Sequence, residues 1–162
     1  MAQDPPGPAT APLPGAARGG PISHAVFRVA RLHRLLAGRL LRQVGLHPGQ
    51  ETLLMHLWES GPQRQTDLMA VLGSDSATVT RTVQRLEQAG FVRRGPWPGD
   101  RRATLVESTP AGNALRARVE ESWRELEQIT VEGMDEAERD TALSVLTRLE
   151  ENLLAECPEN RR

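Results

Sequence analysis

The chain has 162 residues, with 20 basic side chains against 21 acidic ones, and on a prior of about 150 residues per domain this length allows one domain. Apolar residues make up 38% and aromatics 3%, with no Tyr, so a core drawn from Leu, Val and Ala favours helices over a β-sandwich. No apolar run approaches the roughly 18–20 residues of a membrane span, and the first residues lack the basic and apolar segments of a signal peptide. A single cysteine, Cys157, excludes an internal disulfide framework and a cysteine-rich zinc site. A soluble, cytoplasmic chain is expected.

Every basic residue is Arg, and the charge is segregated. Residues 1–61 carry six Arg and three acids, residues 62–106 seven Arg and four acids, and residues 107–162 seven Arg and fourteen acids. A basic middle ahead of an acidic end fits a polyanion-facing element on a solvated helical scaffold, although uneven surface charge with no partner would give the same counts.

Residues 1–21, rich in Pro and Gly, read as a disordered extension. From Ser23, Val26, Val29, Leu36 and Leu40 recur at helical spacing up to Val44 and Gly45. Pro48 suits a first helical turn, and Leu53, Leu54, Leu57 and Trp58 carry a second helix to Gly61-Pro62. A third helix is expected from Thr66 to Leu72 and a fourth from Ser76 to Ala89, capped by Asp75. Phe91–Arg94 and Thr104–Val106 then read as two short strands around Gly95-Pro96-Trp97-Pro98-Gly99-Asp100-Arg101-Arg102, a β-hairpin with a basic tip. Thr109-Pro110 opens a long fifth helix striped with Leu115, Val119, Trp123, Leu126 and Thr130. Asp135 and Glu138 form a capping box for a sixth, which carries Leu143, Leu146, Leu149 and Leu153.

Three helices followed by a hairpin, inside a helical chain, is the order of a winged helix-turn-helix. At about 100° per residue, Val79, Val83 and Leu86 of the fourth helix share one face. Ala77, Arg81, Gln84 and Gln88 lie opposite, with Thr78, Thr80 and Arg85 on the flanks. Small residues let such a helix approach a major groove, where Arg can contact guanine and Gln adenine bidentately. By itself this face reads equally well as an ordinary solvated one. At the hairpin tip, Asp100 stands two residues before Arg102, close enough to orient its guanidinium. Arg93 and Arg94 add charge on the incoming strand. An Arg at a narrow tip suits the minor groove.

Taken in order, Gly45-Leu46-His47-Pro48-Gly49-Gln50, Gly61-Pro62, Thr66-Asp67-Leu68, Thr78-Val79-Thr80-Arg81, Arg85-Leu86-Glu87-Gln88-Ala89-Gly90, Asp100-Arg101-Arg102 and Thr109-Pro110-Ala111-Gly112 resemble the multiple-antibiotic-resistance regulator (MarR) family. The resemblance covers about residues 23–155. It implies a mainly α fold: an N-terminal dimerisation helix (22–46), a winged helix-turn-helix DNA-binding lobe (47–108), C-terminal dimerisation helices (109–157) and a tail (158–162). It further implies a homodimer on a pseudo-palindromic operator in double-stranded DNA, acting as a repressor. Thr78 and Arg81 fall on family positions that reach base edges, and Arg102 on the wing arginine oriented by Asp100. Ala77, Thr80, Gln84, Arg85 and Arg101 complete the expected DNA-contacting set. The sequence departs from the family pattern at Arg64 (usually Thr or Ser), at Ser108 (usually Leu), and at Ser74-Asp75 (usually Leu-Ser).

Many members of this family bind small aromatic anions in a crevice between the dimer helices and the DNA lobe. Arg31, His33, Met55 and Trp58 are candidate lining residues for such an effector. Met55 and Trp58 read equally as core, and Arg31 as solvated surface. His24, His33, His47 and His56 lack metal-ligand spacing, so neither metal nor cofactor is expected. Peroxide-sensing relatives carry a reactive Cys near the first helix, a position without Cys here. No nucleophile elbow, phosphate loop or paired catalytic carboxylates support an enzyme. On the residues alone, a winged-helix protein-interaction module without DNA affinity and a non-specific DNA-binding protein remain open.

Overall fold

A computed structural model describes residues 13–156, apart from the side chain of Arg101. Most of the expected disordered extension, and Cys157, lie outside the described residues. Within that extension Gly15–Ala17 form a 3-10 turn. The described chain divides into two compact units after Leu35. Helix α1, Pro21–Gln43, begins in the first and ends in the second. It starts two residues ahead of the apolar pattern, on a proline that suits a first helical turn.

The second unit holds α2 (Gln50–Ser60), β1 (Gln63–Arg64), α3 (Leu68–Leu72), α4 (Ser76–Gln88), β2 (Val92–Trp97), β3 (Asp100–Ser108), α5 (Pro110–Ala114), α6 (Arg116–Thr130) and α7 (Glu136–Glu156). The Gln50 side chain accepts the His47 N–H at 2.8 Å, closing the turn that opens α2. The core gathers Leu53, Leu54 and Leu57 of α2, Leu68 of α3, Val79, Val83 and Leu86 of α4, and Val92 and Val106 of the sheet. Leu115 and Val119 pack into the same cluster. So part of the stripe expected to face a partner chain is buried within the chain itself.

The antiparallel sheet runs β1-β3-β2. The short strand β1 is absent from the sequence reading, because two residues carry no alternation; only its pairing of Gln63 with Val106 and Arg64 with Leu105 defines it. The expected long fifth helix is interrupted at Leu115, whose N–H bonds back to Gly112 at 3.1 Å. That interruption follows from how α5 is seated. The Thr109 hydroxyl caps α5 by accepting the Gly112 N–H at 3.1 Å and donates to Gly90 O at 2.6 Å. Gly112 then lies so close to the α4–β2 turn that a Cβ would sit 2.1 Å from Phe91 O and 2.6 Å from Ser108 Oγ. The box opening α7 forms as read, with Asp135 and Glu138 each accepting the other's backbone N–H at 2.9 Å.

One charged group is buried at the start of α2. The Glu51 side chain is enclosed and its Oε2 has no hydrogen-bond partner. Burial raises the carboxyl pKa above its ordinary 4.5, against the pull of nearby backbone N–H groups.

Two outcomes are expected. Gly112→Ala drives a methyl into a backbone carbonyl and should cost about 1–3 kcal/mol, seen as a fall of several degrees in Tm. Glu51→Gln removes a carboxylate that is costly to bury. A carboxyl whose pKa is raised in the folded state destabilises the native chain as pH climbs through that pKa. The variant should therefore melt higher than wild type at pH 7. Its advantage should fade as the pH falls toward 4.5, readable in thermal melts across a pH series.

Candidate nucleic-acid interface

The rotation of α4 about its axis is set by Val79, Val83 and Leu86, all at 1% exposure or less. The opposite face leaves Ala77, Arg81, Gln84, Arg85 and Gln88 exposed, with Thr78 and Thr80 half-buried on the flanks. The first turn is held by Asp75, whose Oδ1 accepts the Thr78 N–H at 2.8 Å and whose Oδ2 accepts the Thr78 hydroxyl at 3.2 Å. The Thr78 Oγ1 in turn accepts from Arg81 Nη2 at 3.2 Å. These contacts hold the Asp75 carboxyl below its ordinary pKa, the Thr78 backbone N–H most strongly, the Thr78 hydroxyl and the Arg81 charge less so. Thr80 is tied from outside the helix, its Oγ1 accepting from Gln65 Nε2 at 3.0 Å.

The hairpin's geometry is more particular than a turn with a basic tip. Pro98 and Gly99 form the turn, and Gly99 (φ 84°) takes a conformation that side-chain-bearing residues rarely adopt. The register then jumps from Trp97 opposite Asp100 to Pro96 opposite Thr104. Arg101, Arg102 and Ala103 therefore occupy the length of a single step on β2, a bulge that turns this stretch out of the ladder. The Asp100 Oδ1 accepts the backbone N–H of Arg102 at 2.9 Å. Asp100 was expected to orient the guanidinium; it instead fixes the backbone that carries it.

The arginines of the incoming strand are tied down. Arg94 donates from Nε and Nη2 to Glu87 Oε2 at 2.9 and 2.5 Å, which lowers the Glu87 carboxyl pKa and raises that of Arg94. Arg93 Nε donates to Glu107 at 2.8 Å, raising the Arg93 pKa. Much of the charge that these two would add to the wing is thus cancelled locally. Arg64 lies 4.7 Å from the Trp97 ring centre, a cation–π contact joining β1 to the wing.

The recognition helix and the wing meet at one small cleft of about 130 Å³, lined by Gln65, Thr66, Ser76, Arg102 and Thr104 among others. Gln65, Thr66 and Ser76 were missed in the sequence. Gln65 precedes Thr80 by fifteen positions, and no local pattern marks two side chains that only the turn from β1 into α3 brings together. Arg101 keeps its place in the bulge, and its side chain lies outside the described residues.

The candidate effector residues fall in two places. Met55 and Trp58 of α2 line a cleft of about 490 Å³ with Arg116, Val119 and Trp123 of α6. The Trp58 Nε1–H is buried with no acceptor. Arg31 and His33 belong to the N-terminal unit. There Arg31 lines a groove with Phe27, Ala30, Arg34 and Leu35, and His33 is half-buried.

A donor-bearing helix seated beside a basic hairpin defines a DNA-binding winged helix-turn-helix protein. The MarR family model matches residues 46–104. Over 131 residues the chain is 30% identical to the HTH-type transcriptional regulator YdgJ of Bacillus subtilis, covering 79% of this chain and 78% of that protein. Over 128 residues it is 27% identical to the HTH-type transcriptional repressor NicR of Pseudomonas putida, covering 79% of this chain and 81% of that one. The fold also matches the solved structure of Bordetella bronchiseptica BpsR, whose DNA binding is regulated by 6-hydroxynicotinic acid. The TM-score is 0.72 at 26% identity, over 80% of this chain and 98% of that one. The chain belongs to the MarR family of transcriptional regulators, and its function is DNA-binding regulation rather than catalysis.

The Asp100 contact distinguishes two substitutions. Asp100→Asn keeps an oxygen able to accept the Arg102 N–H and should retain DNA affinity. Asp100→Ala should lose about threefold to tenfold, the worth of one hydrogen bond, with Tm nearly unchanged at so exposed a site. Fluorescence anisotropy with a labelled duplex would check this; equal losses in the two variants would mean that charge, not the backbone bond, matters.

Proposed function

We propose that the protein is a repressor that grips a pseudo-palindromic operator as a homodimer and lets go when a small aromatic effector binds. The observation that carries the DNA reading is the exposed donor face of α4 standing beside a wing that exposes Arg102, with Ser76 at the start of α4 and Arg102 lining one cleft. In this reading Ala77 permits close approach to the major groove, and Thr78, Thr80, Arg81 and Gln84 face base edges. Arg85 meets a phosphate, and Arg101 and Arg102 enter the minor groove from the bulge fixed by Asp100. Such a protein works where promoters are, in the cytoplasm.

Apolar surface supports the dimer. Helix α7 buries no residue in its own chain, and Leu143, Val145, Leu146 and Leu153 are all more than half exposed. In the N-terminal unit Ile22, Phe27, Val29, Leu32 and Leu35 are likewise exposed. Contiguous apolar surface of this kind marks an interface. Two-fold symmetry would then set equivalent α4 helices about 34–36 Å apart, one turn of DNA.

The α2–α6 cleft is the candidate effector site, and its charges refine the expected ligand. Arg116 is already shared between Glu59 at 2.6 Å and Glu120 at 3.0 Å. Arg124 is paired with Glu121. With its cations engaged and two indoles in its wall, the cleft suits a flat aromatic ring better than it suits a bare anion. BpsR, regulated by 6-hydroxynicotinic acid, offers a heteroaromatic precedent.

Gel shifts test the reading once an operator has been selected in vitro. Arg81→Ala should cost about 1–3 kcal/mol on that operator and relax preference at one base pair, whereas Arg85→Ala should weaken all duplexes alike. Arg102→Ala should flatten the salt dependence by about one unit per subunit. Light scattering should return a dimer mass at micromolar concentration, and a monomer there would end the dimer proposal.

A further inference from the structure

The α4 N-terminus carries a feature that N-capping alone does not require. A capping side chain needs one oxygen for a first-turn N–H. Asp75 uses Oδ1 for that purpose, on Thr78 N, and turns Oδ2 onto the Thr78 hydroxyl. A threonine hydroxyl has a single proton, so once that proton is given to the carboxylate only lone pairs remain toward other neighbours. Arg81, one turn further on, donates Nη2 to that oxygen. Without the carboxylate, the Thr78 hydroxyl would be free to donate elsewhere, including to a backbone carbonyl of the preceding turn, and its proton would then no longer be kept from the guanidinium.

We propose that Asp75 is a positioning residue for sequence readout, acting through the Thr78 hydroxyl to hold the Arg81 guanidinium in place before DNA arrives. Three observations converge on it: both Asp75 oxygens are engaged with Thr78, the Thr78 oxygen is oriented as an acceptor, and the guanidinium reaches back onto it. Arg81 commits one of its five N–H donors to Thr78 and keeps the rest for a forked contact with a guanine edge. An exposed arginine ordinarily samples many rotamers and must be ordered on binding. Here part of that ordering is present in the free protein. A Ser in this place would offer a single oxygen, enough to cap the helix but not also to take the Thr78 hydroxyl proton. The benefit of the acidic cap is confined to the correct operator, because a random duplex offers Arg81 no guanine edge in the right place.

This inference rests on the reading of Arg81 as the base-contacting residue, and a double-mutant cycle separates the two. Operator and random-duplex affinities are measured by anisotropy for the wild type, Asp75→Ser, Arg81→Ala and the double variant, each with a thermal melt. Asp75→Ser should lower the operator-to-random ratio by about threefold to tenfold, the cost of ordering one long side chain. Ser remains a good cap, so Tm should hardly move. In the Arg81→Ala background the same substitution should leave the ratio unchanged. If Asp75→Ser leaves the ratio unchanged in the wild type while Arg81→Ala lowers it, the relay is wrong and the base contact stands. An equal loss in both backgrounds would show Asp75 acting on DNA directly, which also overturns the relay. If Arg81→Ala leaves the ratio intact, the base-reading assignment falls and the relay falls with it.

Discussion

The interface depends on how α4 is seated. Val79, Val83 and Leu86 are enclosed among Leu53, Leu54, Leu68, Val92 and Val106, and a close-packed interior resists rotation of the helix that supplies its knobs. Since each residue turns the helix by about 100°, an error of one position in that seating would carry Arg81 off the outward face altogether. The wing is referred to the same core. Val92 and Val106 anchor its two strands, and the Gly112–Phe91 approach locks the start of α5 against the turn that ends α4. Recognition helix, wing and the first C-terminal helix are thereby held to one reference.

Charge on the DNA-facing side is managed rather than simply accumulated. Residues 62–106 hold seven arginines, yet Arg93 and Arg94 face glutamates and Arg64 sits over an indole. Pairing Arg93 and Arg94 with carboxylates reduces the sequence-independent attraction to phosphate that any basic surface exerts. Arg81, Arg85 and Arg102 remain exposed on α4 and in the bulge. A protein arranged this way gains discrimination at some cost in bare affinity, which suits a regulator that must ignore most of a genome. In the proposed relay, the Asp75 carboxylate at the start of α4 acts in the same direction.

Helix α7 presents a related economy. It has a well-formed capping box and 21 residues, but its leucines lie outward. Helices in water draw most of their stability from packing an apolar face rather than from propensity. In the proposed dimer that face would be covered by a second chain, so the folding of this end and the assembly of the operator-binding unit would be coupled by mass action. In the α2–α6 cleft, Val119 is at once a core residue and a wall of the cleft. A ligand there would press on the packing that seats the lobe.

Much of this was legible in the order of residues, because it rests on short-range physics. The inward face of α4 follows from spacing alone, the caps at Asp75, Thr109 and Asp135 from side chains that must satisfy nearby N–H groups, and the hairpin from Pro and Gly that no helix accepts. What required the folded chain were contacts between residues far apart or too few to form a pattern. The strand Gln63–Arg64 exists only through its pairing with β3. The tie from Gln65 to Thr80, the pairing of Arg94 with Glu87 and the close approach that demands Gly112 depend on which surfaces meet. The bulge that turns Arg102 outward, with Asp100 holding its backbone rather than its side chain, is set by strand register. Composition and periodicity determine which face of an element is buried; only tertiary packing decides which distant side chain it is buried against, and hence which arginines are left for DNA.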